Sequence, residues 1–228
     1  MPASDGIDAL IAVRDGAPYL AEAIESALGQ TLPPTRVIVV DDGSADESAA
    51  IAERFGPPVT VLRRSAAGAP SALNAGIADS SAPLVAFLDA DDLWLPDKLA
   101  LQADLLARQV DVEIVYGHVT EFRDGDAAHL EVRHKPQPGL VKSAALVRRS
   151  TVDRVGRFDA SYAVVDFPEW RSRCQAAGVV EHVLSELVTR RRVHGENVTL
   201  RRRDTTHAEY LRMARAAVGR RRADASSS

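Results

Sequence analysis

Four short apolar runs restrict the fold most: Ile7–Val13, Arg36–Val40, Val59–Leu62 and Leu84–Leu88, each separated from the next by a stretch with helical spacing. Runs this continuous suit strands that are covered on both faces, the situation of a parallel sheet flanked by helices. Between the first two, Leu20, Ala23, Ile24, Ala27 and Leu28 fall on one helical face, and Gly29 ends that helix. Further helices are expected over about 45–55 and 71–78. Parallel neighbours need crossover connections, so β-α-β-α-β-α-β at this spacing predicts an α/β fold with a mostly parallel sheet and right-handed connections.

Ligands of such sheets bind beyond the carboxyl ends of the strands. The sequence places Arg14-Asp15, Asp41-Asp42, Arg63-Arg64 and the group Asp89, Asp91 and Asp92 there, so polar residues from four successive strands converge on one edge. The last group, in LVAFLDADDLWLPDKL, has two readings. Three carboxylates this close repel and raise one another's pKa, which invites a divalent cation with oxygen ligands. Alternatively they form a solvated acidic turn before the helix that begins near Pro96, with Asp97 complementing its dipole.

A chain of 228 residues, 46% hydrophobic and 26% charged, suits one globular domain with a sizeable core. The single cysteine, Cys174, excludes an internal disulfide framework and a cysteine-based metal site, and is expected to pack. No basic-then-apolar leader opens the chain and no run approaches a membrane span, so a cytoplasmic protein is the expectation. The net charge of −4 hides a basic end, Arg190 to Arg222, with eleven arginines against Glu196, Asp204 and Glu209. Without interleaved aromatics or a known motif, that end does not predict nucleic-acid binding.

After the helix expected over Pro96–Arg108 the pattern loosens and reads as a smaller antiparallel part. Its pieces are Val112–Tyr116, Val119–Arg123, a turn at Asp124-Gly125-Asp126, Leu130–Arg133 and the apolar Leu140–Val147. A helix over Ser150–Val155 follows, then one from about Pro168 to Ala177, one or two strands in Val183–Val193, a basic helix over 205–222 and a disordered tail, 223–228. Asp166 and Glu169 flank the start of the second of these helices, where acids also complement the dipole. Trp94 and Trp170 are expected mainly in the core, with Trp94 near an acceptor pocket.

The stretches IAVRDGAPYLAEAIESALGQ, VIVVDDGSADES, FLDADDLWLPDKL and RRRVHGENVTLRRR, in that order, resemble the family 2 glycosyltransferases over about residues 7 to 203. The resemblance implies a GT-A (Rossmann-like) fold in a single domain over 1–222. Its nucleotide-binding half covers about 1–110 and its acceptor-binding half about 111–204. It also implies a nucleotide-sugar donor, usually a UDP-sugar, with Mn²⁺ or Mg²⁺, and transfer with inversion to an acceptor hydroxyl or other nucleophile. In this chain Ala12, Arg14, Asp15, Asp41, Asp42, Arg63, Arg64, Asp89 and Asp91 would meet the donor. Asp91, Asp92 and His194 would hold the metal, and Asp166, with Glu169 in reserve, would deprotonate the acceptor. The chemistry is coherent: a metal on hard carboxylates neutralises a departing diphosphate, and an inverting attack needs one carboxylate as base.

Two departures stand out. Relatives commonly read Pro-Val-Tyr-Asn where this chain has Ala12-Val13-Arg14-Asp15, so a guanidinium replaces the aromatic platform for the base. Val164 and Val165 precede Asp166 where relatives carry a glycine and glutamate or a Glu-Asp pair. The acceptor is not named by the sequence and is expected to be a small molecule, peptide or lipid-linked molecule; a homodimer is compatible with it. The alternatives are a non-catalytic nucleotide-sugar-binding relative and a sugar nucleotidyltransferase; the latter is disfavoured by the lack of a phosphate loop near the first strand.

Overall fold

The computed structural model describes residues 6–123, 131–195, 197 and 203–226. Its first half follows the apolar runs closely. Strands β1 (Ile7–Val13), β2 (Arg36–Asp41), β3 (Val59–Arg63) and β4 (Leu84–Asp89) alternate with helices α1 (Ala17–Leu28), α2 (Ser48–Glu53) and α3 (Ala69–Asp79). The order is β3-β2-β1-β4, all parallel. Two apolar layers cover the sheet, one containing Ile11, Leu20, Ile24 and Leu88, the other Leu10, Ile38, Leu73 and Phe87, and all eight side chains are buried. Adjacent residues of one strand, Leu10 and Ile11, therefore enter opposite cores, which explains why these strands read as unbroken apolar runs.

The remaining strands join the same sheet, continuing as β8-β6-β9-β5. They are β5 (Leu93–Trp94), β6 (Ile114–Arg123), β7 (Gln137–Pro138), β8 (Leu146–Arg148) and β9 (Glu181–Val193), with α4 (Lys98–Arg108), α5 (Arg149–Val155), α6 (Asp166–Ala176) and α7 (Arg203–Ser226) around them. The expected antiparallel part is present in the β4–β8, β8–β6, β6–β7 and β5–β9 pairs, but the long β6–β9 pair is parallel.

Several boundaries differ from expectation. The two pieces 112–116 and 119–123 are one strand with register shifts near His118. Of the expected strand Leu130–Arg133, the described residues 131–133 are not strand, and the Asp124-Gly125-Asp126 turn lies outside the described residues. The run 140–147 divides into a single 3₁₀ turn, Lys142–Ala144, and β8. Helix α6 begins at Asp166 rather than Pro168, and α7 continues to Ser226, through most of the expected tail; the last two residues lie outside the described residues. Trp94 and Trp170 are both core residues, their indole N–H groups donating to the carbonyls of Ser143 and Gly156 at 2.7 Å. Cys174 is buried beside Trp170, and burial pushes its thiol up to about 12. No described helix is long and apolar enough to cross a membrane.

Candidate active site

Parallel pairing fixes which strand ends stand together. Val13 lies opposite Asp41 and Asp41 opposite Arg63, while Ala12 lies opposite Asp89. Beyond these ends opens a cleft of about 420 Å³. Its walls come from Ala12–Gly16 at the end of β1, Asp89–Asp92 after β4, Lys142, Ala163 and Val164 before α6, Asp166 at its start, Arg191 and Arg192 of β9, and His194 and Asn197 beyond it. Eight of the residues expected in the site thus share one cavity: Ala12, Arg14, Asp15, Asp89, Asp91, Asp92, Asp166 and His194.

The other five, Asp41, Asp42, Arg63, Arg64 and Glu169, are not among its walls. Asp42 accepts hydrogen bonds from the N–H groups of Ala67 and Gly68 at 2.9 and 2.7 Å, and Asp41 accepts one from Ser44 at 3.2 Å. Gly43 between them and Ser44 has φ +75°, and a Cβ there would stand 2.8 Å from the Ala66 nitrogen, so only glycine fits this turn. Asp15 ties the neighbouring loop to it, its N–H donating to Ser44 Oγ at 3.0 Å and its carboxylate accepting from Ala45 at 2.7 Å. Arg14 is more than half exposed at the rim. Arg63 instead forms a two-pronged pair with Glu53, and Arg64 donates to the Ser71 carbonyl at 2.6 Å. Glu169 is buried on α6 and receives Arg173 Nε at 2.9 and 3.0 Å, so its carboxylate is committed to its own helix and is not a wall of the cleft.

Within the cleft the acids differ sharply. Asp91 Oδ2 lies 3.0 Å from His194 Nε2 and accepts from Asn197 Nδ2 at 3.1 Å. Asp92 is buried and accepts from the Arg192 N–H at 3.0 Å. Burial first, then the charges of Asp91 and Asp89, push its carboxyl well above the usual range. The Arg192 guanidinium donates to the Asp91 carbonyl at 3.0 Å and to Glu22 at 2.7 Å. It also lies over the Tyr19 ring, which packs in turn 4.7 Å from the His194 ring.

Lys142 was not marked by sequence reasoning, although a lone lysine inside an apolar run is the signal that could have found it. Its ammonium is 2.9 Å from Asp89 Oδ1 and 3.8 Å from Asp166 Oδ2. Ser143 Oγ donates to the other Asp89 oxygen at 3.0 Å. Burial works against the ammonium, but Asp166 and Asp89 outweigh it and hold Lys142 protonated. Burial likewise opposes the Asp89 charge, yet Lys142 and Ser143 bring that carboxyl below its ordinary value.

Asp166 is only 6% exposed at the first position of α6. Its Oδ1 accepts from the Phe167 N–H at 2.8 Å, whereas Oδ2 is buried with no hydrogen-bond partner. Burial pushes its pKa up, against the pull of Lys142 and the Phe167 N–H. The arrangement is a carboxylate with one oxygen uncommitted, in a cleft with a protonated lysine beside it.

Among the described residues no three His, Cys, Asp or Glu side chains are grouped to hold a metal by themselves. A hard cation that bridges phosphates takes only one or two protein carboxylates, however. Asp91 and His194, 3.0 Å apart on the cleft wall, fit that smaller donor set. Asp92 also lines the cleft, with Oδ1 accepting the Arg192 N–H.

The profile of Glycosyl transferase family 2 matches residues 8–157. An uncharacterized glycosyltransferase of Rickettsia prowazekii is 36% identical over 109 residues, 48% of this chain and 34% of that protein. The succinoglycan biosynthesis protein ExoW of Rhizobium meliloti is 35% identical over 158 residues, 66% of this chain and 44% of its own length. The chain thus spans about a third of the Rickettsia relative and under half of the Rhizobium one. Among solved structures, S. aureus TarS 1–349 in complex with UDP-GlcNAc superposes with a TM-score of 0.70 at 16% identity, covering 84% of this chain and 60% of that one. The mannosyltransferase PcManGT from Pyrobaculum calidifontis, in complex with GDP-Man and Mn²⁺, has a TM-score of 0.67 at 19% identity, covering 84% and 58%. These likenesses establish the GT-A type of fold expected from the resemblance.

Proposed function

Because the chain belongs to glycosyl transferase family 2, we propose that it transfers one sugar, with inversion, from a nucleotide diphosphate sugar to an acceptor hydroxyl. The observation that carries this reading is the buried Oδ2 of Asp166 on the cleft wall, which accepts no hydrogen bond and has the Lys142 ammonium 3.8 Å away. A hydroxyl seated there donates its hydrogen bond to Oδ2. As its oxygen attacks the anomeric carbon, the C–O bond to the diphosphate breaks and the proton passes to Asp166. Desolvation raises the basicity of that carboxylate, which suits it to the transfer. Asp89 is the other acid near Lys142, but Lys142 and Ser143 occupy its two oxygens. One base and no second nucleophilic carboxylate is the pattern of inversion rather than retention.

The donor lies between the ends of β1 and β4, with its diphosphate towards Asp91 and His194. Bound there, Mn²⁺ or Mg²⁺ would supply charge neutralisation to the leaving diphosphate. A uridine nucleotide is the preferred donor, in line with the UDP-GlcNAc complex of TarS. Arg14, at the rim, would stack on or pair with the nucleotide in place of an aromatic ring.

The test is a thermal-shift series with UDP, UDP-GlcNAc, UDP-glucose and GDP-mannose, each with and without Mn²⁺, paired with measured nucleotide release. A hundredfold excess over Kd stabilises by about 2.7 kcal/mol, roughly 5–10 °C in a chain of this size. The expected result is a metal-dependent shift with a uridine sugar, lost in Asp91→Ala, accompanied by slow UDP release. No shift with any nucleotide sugar overturns the donor assignment. A shift without release against any acceptor overturns transfer in favour of a binding protein.

A further inference from the structure

Helix α7 docks against α6 in an unusual way. Of its described side chains, residues 204–220, only Glu209 is buried, while Tyr210, Leu211 and Val218 are exposed. A helix normally buries an apolar stripe; this one buries a carboxylate. Glu209 Oε1 accepts from the Ala163 N–H at 2.8 Å, and Oε2 accepts from the N–H groups of Val164 and Val165 at 2.9 and 3.0 Å. Burial pushes this carboxyl up, but the three backbone donors together hold it below the usual range, so it is charged at neutral pH.

Those three N–H groups belong to the segment that ends at Asp166. Ala163 and Val164 are themselves walls of the cleft, and Val165 is the residue that opens α6. Apart from that latch, Arg212 donates to the Ser161 carbonyl at 2.6 Å, and Arg220 anchors the helix to α6 at Ser172 Oγ, 3.0 Å away. A solvated helix could be anchored by the arginines alone. The carboxylate does something more specific, because it fixes three consecutive peptide planes directly before the residue whose side chain must meet the acceptor.

We propose that Glu209 is a positioning residue for transfer: the C-terminal helix supplies the carboxylate that sets the 163–165 backbone, and with it the place of Asp166 in the cleft. The inference rests on the reading of Asp166 as the base. It also makes α7 part of the active site, although the helix lies beyond the residues that the family profile matches.

The experiment compares Glu209→Gln, Asp166→Asn and Arg220→Ala in the 228-residue chain. Turnover is read as nucleotide release from UDP-GlcNAc with Mn²⁺, and backbone order as amide exchange of peptides covering 161–166. Gln keeps one carbonyl oxygen for the Val164 and Val165 N–H groups but turns an N–H₂ towards the Ala163 N–H and carries no charge, so the latch is weakened. Glu209→Gln is expected to lower kcat at least tenfold, to leave KM for the donor within twofold, and to speed exchange over 161–166 while the β1–β4 peptides stay protected. Arg220→Ala loosens docking only, so its kcat stays near wild type even if its Tm falls. A kcat for Glu209→Gln within twofold of wild type overturns the inference if Asp166→Asn is impaired. If Asp166→Asn also turns over normally, the base assignment is what fails. Unchanged exchange over 161–166 in Glu209→Gln overturns the latch whatever the turnover.

Discussion

Asp166→Asn separates activity from stability in opposite directions. The substitution is close to isosteric, and Asn Oδ1 can keep the hydrogen bond from Phe167 now made at 2.8 Å. Lys142 stays anchored by Asp89 at 2.9 Å. What changes is the loss of the proton acceptor at Oδ2. General-base catalysis is worth about 10²–10⁴ in rate, or roughly 2.7–5.5 kcal/mol of barrier. With the donor site untouched, kcat should fall by that factor while KM for the nucleotide sugar changes little.

Stability should move the other way. The folded pKa of Asp166 is raised above the ordinary 3.8, chiefly by burial. The folded state therefore binds this proton more tightly than the unfolded chain. Stability from that preference is present below pH 3.8 and is lost as the pH rises through the folded value. At neutral pH the fold carries the cost of a charged, buried carboxylate, and Asn removes it. Each kcal/mol recovered raises Tm by about 2–4 °C in a chain of this size. Melting curves of wild type and Asp166→Asn from pH 4 to pH 8 should diverge with rising pH, the variant melting higher. A kcat within threefold of wild type, or a variant less stable at pH 8, would refute the reasoning.

Lys142→Met should move the acidic limb of the kcat/KM–pH profile upward, because Lys142 is the main charge that favours ionised Asp166; an unmoved limb counts against their coupling. Its Tm should drop only by the 2–4 °C that about 1 kcal/mol is worth, since Asp89 is 41% exposed and water takes over much of its charge. Chelation with EDTA should leave the Tm of the ligand-free protein unchanged but abolish the shift produced by a uridine diphosphate sugar, as scanning calorimetry can test; a destabilised ligand-free protein would mean that the metal belongs to the fold.

The first half of the chain was legible because each β-α unit is local and its strands are buried on both faces, so Ile7–Val13, Arg36–Asp41 and Leu84–Asp89 announce themselves without knowledge of partners. Their parallel order then places Ala12 beside Asp89 with no further information. The second half was not, because its sheet is assembled across long separations. Arg123 pairs with Val193, and Leu93 with Arg190, in strands whose neighbours are far away in sequence. Two-residue strands such as Gln137–Pro138 carry no period to read. Chemistry-bearing residues were legible by type but not by commitment: Glu169 stood in reserve to Asp166 as a candidate base, and only packing gives it to Arg173. Glu209 looked like an ordinary acid in a basic helix because its three partners lie more than forty positions away.

The same distinction resolves the acidic strand end that first suggested a cation. Four carboxylates, Asp89, Asp91, Asp92 and Asp166, line one cleft, yet the chain brings its own positive groups to them. Lys142 serves Asp89 and Asp166, the charge of Arg191 acts on Asp89 and Asp92, and the Arg192 backbone serves Asp92. These groups offset part of the repulsion within the cluster, although burial and then the charges of Asp91 and Asp89 still push the Asp92 carboxyl up. Among the described residues Asp91 hydrogen-bonds a histidine ring nitrogen and an amide, groups that a cation could share or displace. Neighbouring carboxylates thus carry different commitments: Lys142 and Ser143 hold Asp89 and the Arg192 N–H reaches Asp92, while Asp91 faces His194 and Asn197, where the proposed metal site would form.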